Sequence, residues 1–296
     1  MNGDAVASRD DDDDDDDDDA DITGPLAILL PPPEDGGGEE EDDPAEPDQL
    51  EHHRLRSVNA TIAIRQLPSR GLSFQLWPAA TTLLNLLDSH VSDPAVGPLS
   101  PILAGRPQPP RRRLSFLELG SGTGLVGIAA AVALGADVTV TDLPHVVPNL
   151  QFSVDANAAA LAAGAGGGSV RVVPLRWGEA ADVGALGEEE YDVILASDVV
   201  YYDHLYEPLL ETLRWLFERS ERREEMVFVM AHLRRWKKDS AFFLKARKAF
   251  DVEAIHTDKP CQGSRIGVVV YRFNWKRKRT AKSATPSDTT ASSDEI

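Results

Sequence analysis

The chain has 296 residues, 42% of them hydrophobic, a single cysteine and a formal net charge of −19. The charge is unevenly placed: residues 1–50 hold 21 acidic residues against one basic residue, Arg9, and the remainder is close to neutral. A neutral fold lacks the basic surplus of a dedicated nucleic-acid-binding domain. A lone Cys261 makes no internal disulfide and no Cys-rich zinc site, and no metal ligand set is expected.

No run of 18 apolar residues offers a membrane span. The opening MNGDAVASRDDDD lacks the apolar core of a secretory signal and the basic character of a mitochondrial presequence. These features predict a soluble protein of the cytosol or nucleus, and a monomer is expected. Lys276–Arg279 near the end reads equally as a nuclear import signal or as a solvated basic tail.

Ten consecutive aspartates, Asp10–Asp19, and a second acidic block, Glu39–Asp43, dominate residues 1–54. Like charges in such density repel and bury nothing, so an acidic disordered tail is expected there. It would act either as a tether for a basic partner or as a solubilising segment.

The pattern changes from residue 55. RSVNATIAIRQL (56–67) alternates apolar and polar residues as a half-buried strand does. GLSFQLWPAATTLLNLL (71–87) follows as an amphipathic helix entered through Trp77 and Pro78, proline being suited to a first helical position. After a Pro/Gly-rich linker at 93–113, strands at 114–120, 137–142, 170–178, 191–201 and 226–233 alternate with helices at 125–135, 146–163, 205–219 and 240–250. Such alternation makes a parallel sheet covered on both faces. The last two strands, 250–258 and 266–273, have no helix between them and should pair antiparallel through a turn at 259–265. The expected fold is therefore α/β and Rossmann-like: seven strands, mostly parallel, one reversed. Residues 274–296 are basic and then Ser/Thr-rich, and are expected to be a disordered tail.

The strongest local signal is Phe116-Leu-Glu-Leu-Gly-Ser-Gly-Thr-Gly124, between a strand and a helix. Glycines at 120, 122 and 124 allow a sharp turn and close approach to a ligand. A dinucleotide fingerprint needs glycines at relative positions 1, 3 and 6, which this spacing does not supply. The next strand ends in Asp142, placed to accept the ribose hydroxyls of an adenosine. Trp177 closes the third strand, where it could stack on adenine or simply fill core.

These motifs, with GLSFQLWPAA (71–80), VTVTD (138–142), LRWG (175–178) and ILASDVVY (194–201) in that order, resemble a class I (seven-β-strand) S-adenosylmethionine-dependent methyltransferase. More narrowly, the chain is similar to methyltransferase family 16, which contains protein-lysine methyltransferases. The likeness spans about residues 58–273. It implies S-adenosylmethionine as cofactor, with Trp77 contacting it from the N-terminal helix and Gly120, Ser121 and Gly122 around its methionine part. Asp142 would hold the ribose, Trp177 would flank the adenine, and Ser197, where relatives commonly have Ala, would line the pocket.

Asp198-Val-Val-Tyr201 resembles the family's acidic-x-x-aromatic motif beside the transferred methyl. Enzymes acting on planar amide or nucleobase nitrogens usually carry Asn-Pro-Pro-aromatic there instead. A carboxylate with an aromatic ring suits a cationic amine. Asp198 and Tyr201 are thus the candidate catalytic pair, Asp198 orienting the acceptor and Tyr201 walling its channel. Lysine methylation of a protein is the expected activity. A small-molecule methyltransferase and a non-catalytic cofactor-binding scaffold are the alternatives. Family members act on heat-shock chaperones, a valosin-containing ATPase and elongation factors, so a chaperone, an ATPase or a translation factor is the implied class of partner.

Overall fold

The computed structural model describes residues 49–104, 106, 112–235, 238–260 and 267–277. The expected acidic tail up to residue 48 and the polar end beyond 277 lie outside these residues, as does most of the turn expected at 259–265.

The first element was not expected. Gln49–Leu55 is a strand, β1, paired antiparallel with β2 (Ala60–Gln66). The fold thus begins within the span assigned to the tail, before residue 55. β1 was obscure because QLEHHRL has little apolar character of its own and is defined by its pairing partner. Asn59, at φ 51°, makes the turn between them, a left-handed conformation that asparagine tolerates.

β2 is held on its other edge by one face of a helix. Asn149, Ser153 and Asn157 recur every fourth residue, so they line up along α4 (Val147–Ala156) and its C-cap. Asn157 Oδ1 accepts the Ala63 N–H at 2.9 Å, and its Nδ2 donates to the Ala63 carbonyl at 2.6 Å. Arg65 donates Nε to Asn149 Oδ1 at 2.6 Å and lies over the Phe152 ring. The open edge of the hairpin is thereby satisfied by side chains, while Ile62 and Ile64 enter the core. Asn157→Ala leaves both Ala63 backbone groups without these partners. It is expected to destabilise the fold by about 2 kcal/mol, measured as a shift in the urea unfolding midpoint.

After α1 (Pro78–Ser92) and the short α2 (Ser100–Leu103), the chain enters a seven-stranded sheet. Its strands are β3 (Ser115–Leu119), β4 (Asp137–Asp142), β5 (Ser169–Pro174), β6 (Val193–Ser197), β7 (Val227–His232), β8 (Phe250–Thr257) and β9 (Val269–Trp275). The spatial order is β5-β4-β3-β6-β7-β9-β8, parallel except for β9, which runs antiparallel to both its neighbours. The remaining helices are α3 (Leu125–Leu134), α5 (Ala158–Ala163), α6 (Ala180–Ala185), α7 (Tyr206–Arg219) and α8 (Asp239–Ala246). Among the described residues no helix is long and apolar enough to cross a membrane.

Alternation along the strands sorts the core into two faces. Phe116, Val138, Val140, Val193, Leu195, Val227 and Val229 join α1 and α3 on one side. Leu117, Leu119, Ile194, Ala196, Phe228 and Met230 join α7 and α8 on the other. This is the period of two that a sheet buried on both faces requires. One helix expected at 146–163 is in fact two, broken at Asn157. The apolar spacing runs through the break unchanged, so only the Ala63 clamp reveals it.

Candidate active site

The parallel strands β3, β4, β5 and β6 all end on one rim of the sheet, where open α/β folds bind ligands. β3 leads into the glycine loop. Gly120 stands at φ 63°, in the left-handed region. A Cβ there would lie 2.9 Å from Trp177 Cζ2 and 3.1 Å from Val199 Cγ1, so the ends of β3, β5 and β6 meet at this one backbone position. Gly122 approaches the Ser73 carbonyl oxygen just before α1, and its N–H donates to Asp142 Oδ2 at 2.7 Å. The other Asp142 oxygen accepts the Leu143 N–H at 2.8 Å.

Asp142 is buried, which raises its pKa against the opposing pull of the two backbone N–H groups. In a pyrophosphate-binding loop such amides face the ligand. Here Gly122 gives its N–H to a carboxylate instead, which would repel a phosphate and suits a neutral ribose with a sulfonium nearby. The loop therefore fits an adenosyl sulfonium.

Ser121 plays another part than its neighbours. Its hydroxyl donates to the Glu118 carbonyl at 3.3 Å and accepts the Thr141 N–H at 3.0 Å, turning inward to brace the loop on β4. Trp77, at the N-cap of α1, fixes its ring by donating Nε1 to the Leu72 carbonyl at 2.9 Å. Ser197 is the last residue of β6, half-buried opposite Ala231 of β7.

Asp198 follows at φ 54°, a non-glycine residue in the left-handed region. This strain, of order 1 kcal/mol or more, turns its carboxylate toward β7, where Oδ1 accepts the Leu233 N–H at 2.9 Å. The Arg235 guanidinium reaches both oxygens, at 3.3 Å and 3.1 Å, and lies 5.0 Å over the Trp77 ring. Burial acts to raise the Asp198 pKa, but His232, Arg235 and the Leu233 amide outweigh it and hold the group below the ordinary carboxylate range. Tyr201 is pushed up to about 12, by burial first and then by the charge of Asp142, so its hydroxyl stays neutral and lies near the end of β4.

The sequence-predicted residues thus converge on one rim, Ser121 alone serving as an inward brace. The model of the lysine methyltransferase family matches residues 57–249. The chain belongs to that family. A zebrafish protein N-lysine methyltransferase, METTL21A, is 36% identical over 202 residues, covering 68% of this chain and 77% of the relative. A mouse EEF1A lysine methyltransferase 3 is 35% identical over 146 residues, covering 49% of this chain and 51% of its own. Among solved structures, the METTL16 MTase domain overlaps 73% of this chain and 74% of its own length at a TM-score of 0.47 and 12% identity. This lysine methyltransferase uses S-adenosylmethionine as its methyl donor.

Four ionisable groups packed against the site escaped the sequence reading of this methyltransferase: Glu118, His232, Arg235 and Asp239. His232 lies buried between two carboxylates, Nδ1 3.7 Å from Asp198 and Nε2 3.3 Å from Asp239. Burial would lower its pKa, but the two acids prevail and raise it. Asp239 also accepts the Tyr206 hydroxyl at 3.3 Å. A single polar residue inside an apolar strand was the available signal for both His232 and Glu118.

Glu118 sits beneath the glycine loop, its Oε2 accepting the Gly127 N–H at 2.9 Å where α3 crosses β3. Burial pushes its pKa from 4.5 to about 8. Unfolded, the group gives up its proton near 4.5; folded, it keeps it to about 8. Its contribution to stability is therefore full below pH 4.5 and is lost as pH rises through 8, at up to about 1.4 kcal/mol per pH unit. Glu118→Gln removes this titration, so its melting temperature should fall less than wild type's between pH 5.5 and 8.5. Parallel melting curves would disprove the assignment.

Proposed function

We propose that this enzyme methylates the ε-amine of a lysine on a protein substrate, with Asp198 and Tyr201 receiving the lysine. One observation carries the reading: a buried carboxylate just past the end of β6 is paired with a guanidinium that lies over the Trp77 ring, a place built for a cation. A translation factor, a chaperone or an ATPase is the substrate class we favour, and the name of the mouse relative makes an elongation factor the first to test.

Gly120, Gly122, Asp142, Trp77, Trp177 and Ser197 would hold the cofactor, with Ser121 bracing the loop. S-adenosylmethionine supplies a methyl already activated on a sulfonium. What remains for the chain is to position and desolvate the acceptor. A lysine ammonium with its ordinary pKa near 10.4 costs about 4–5 kcal/mol to deprotonate at pH 7. Asp198, held low and beside cations, is a poor base and would stabilise the ammonium rather than strip it. Its part is to align the amine, which can lower the barrier by several kcal/mol. Tyr201, neutral at any physiological pH, can hydrogen-bond the amine as it loses its charge.

The test is to incubate the purified chain and methyl-labelled S-adenosylmethionine with a cell extract. A labelled protein band that yields methyl-lysine on hydrolysis supports the reading. Label confined to small molecules would overturn it in favour of a metabolite substrate. We place the activity in the cytosol, with the nucleus open to it through Lys276–Arg279, and a fluorescent fusion of the full chain confined to a membrane or an organelle lumen would contradict that placement.

A further inference from the structure

The acceptor site already contains a cation. Arg235 covers Asp198 so completely that the carboxylate side chain is 2% exposed, against 15% for the arginine itself. Every direction around Asp198 is taken: the Leu233 amide, His232 and the guanidinium. No lysine could reach it unless one of these gave way. Leu233 is backbone and His232 is buried behind the carboxylate between two acids, so Arg235 is the partner that can leave.

Its contacts are not the tightest the fold can make. Arg112 reaches Asp192 at 2.6 Å and Arg176 forks onto Asp182 at 2.8 and 2.9 Å, whereas Arg113 to Asp137 and Arg222 to Asp192 stand at 3.2 Å. Arg235 reaches Asp198 at 3.1 and 3.3 Å, beyond the usual range of a charge-assisted bond. Its Nε is buried without a hydrogen-bond partner among the described residues. The surroundings match those a lysine head would want, a carboxylate on one side and the Trp77 ring on the other.

We propose that Arg235 is an internal surrogate for the substrate lysine, occupying the cation subsite between Asp198 and Trp77 and exchanged for the lysine ammonium when the substrate docks. This rests on the reading of Asp198 as the acceptor residue. Exchange of one cation for another keeps the buried charge of Asp198 and His232 balanced throughout, whereas an empty site would strand a carboxylate. It also sets specificity, because a neutral acceptor cannot compensate the carboxylate that Arg235 vacates.

The test titrates the full chain with n-butylammonium chloride, a bare lysine head, followed by tryptophan fluorescence and melting temperature. Arg235→Gln keeps the stem and removes the charge, and should bind the probe at least tenfold more tightly than wild type and regain melting temperature as it does so. Adding Asp198→Asn should abolish the gain. If Arg235→Gln does not fold, Arg235→Lys, which keeps the charge but loses the planar fork, should bind the probe about threefold more tightly than wild type. Arg235 variants that bind no better than wild type, or a gain that survives Asp198→Asn, would overturn the proposal. Calorimetry with S-adenosylmethionine on the same samples separates the two readings: wild type without cofactor heat fails the methyltransferase reading, and wild type with heat but no cation exchange fails this one alone.

Discussion

Asp198→Asn is expected to slow methyl transfer by about 10²- to 10³-fold, the share that acceptor alignment can supply, while cofactor affinity stays within about twofold of wild type. Asparagine is chosen because it separates charge from backbone. It tolerates the left-handed φ of 54° and can still accept the Leu233 N–H. What it removes is the negative charge that faces Arg235 and His232. Alanine would confound the result, because deleting the carboxylate strands two buried cationic groups at a cost of about 3–5 kcal/mol. Single-turnover rates with labelled cofactor decide the matter. A rate within threefold of wild type would remove Asp198 from the acceptor site.

Gly120→Ala is expected to weaken S-adenosylmethionine binding by about 100-fold, or about 2.7 kcal/mol. Two costs combine. An L-residue at φ 63° is strained, and its methyl would stand 2.9 Å from the Trp177 ring and 3.1 Å from Val199. Trp177 would have to swing off the loop, removing one wall of the cofactor pocket. Since the strain falls on a loop and not on the sheet, the melting temperature without cofactor should drop only a few degrees. Calorimetry measures the affinity directly, and binding within twofold of wild type would show that the loop does not cradle the cofactor closely.

How much of this could be read from residues alone divides along a physical line. β4 was legible to its ends because Asp137–Asp142 alternates in sequence as it does in space, and the glycine spacing at 120, 122 and 124 announced a tight turn by composition. The antiparallel β8–β9 pair followed from the lack of a helix between them. What stayed hidden depends on partners far along the chain. β1 becomes a strand only through β2, the break at Asn157 answers to Ala63, and Arg235 looks like any solvated basic residue until the fold delivers Asp198 to it. Ser121 adds a detail of the same kind: the motif places it in the loop, and only the fold shows that its hydroxyl braces that loop on the neighbouring strand.

The position of β9 bears on how the chain matures during synthesis. β8 has no pairing with β7: β7 bonds β6 on one side and β9 on the other, and β8 bonds only β9, the last of the described strands in sequence. Until residues 269–275 have left the ribosome, the fully apolar-flanked β7 is a raw sheet edge and β8 has nothing to dock on. A nascent polypeptide stalled before that point exposes a template for association with other chains, so β9 acts as a zip drawn only once every other described strand has been made.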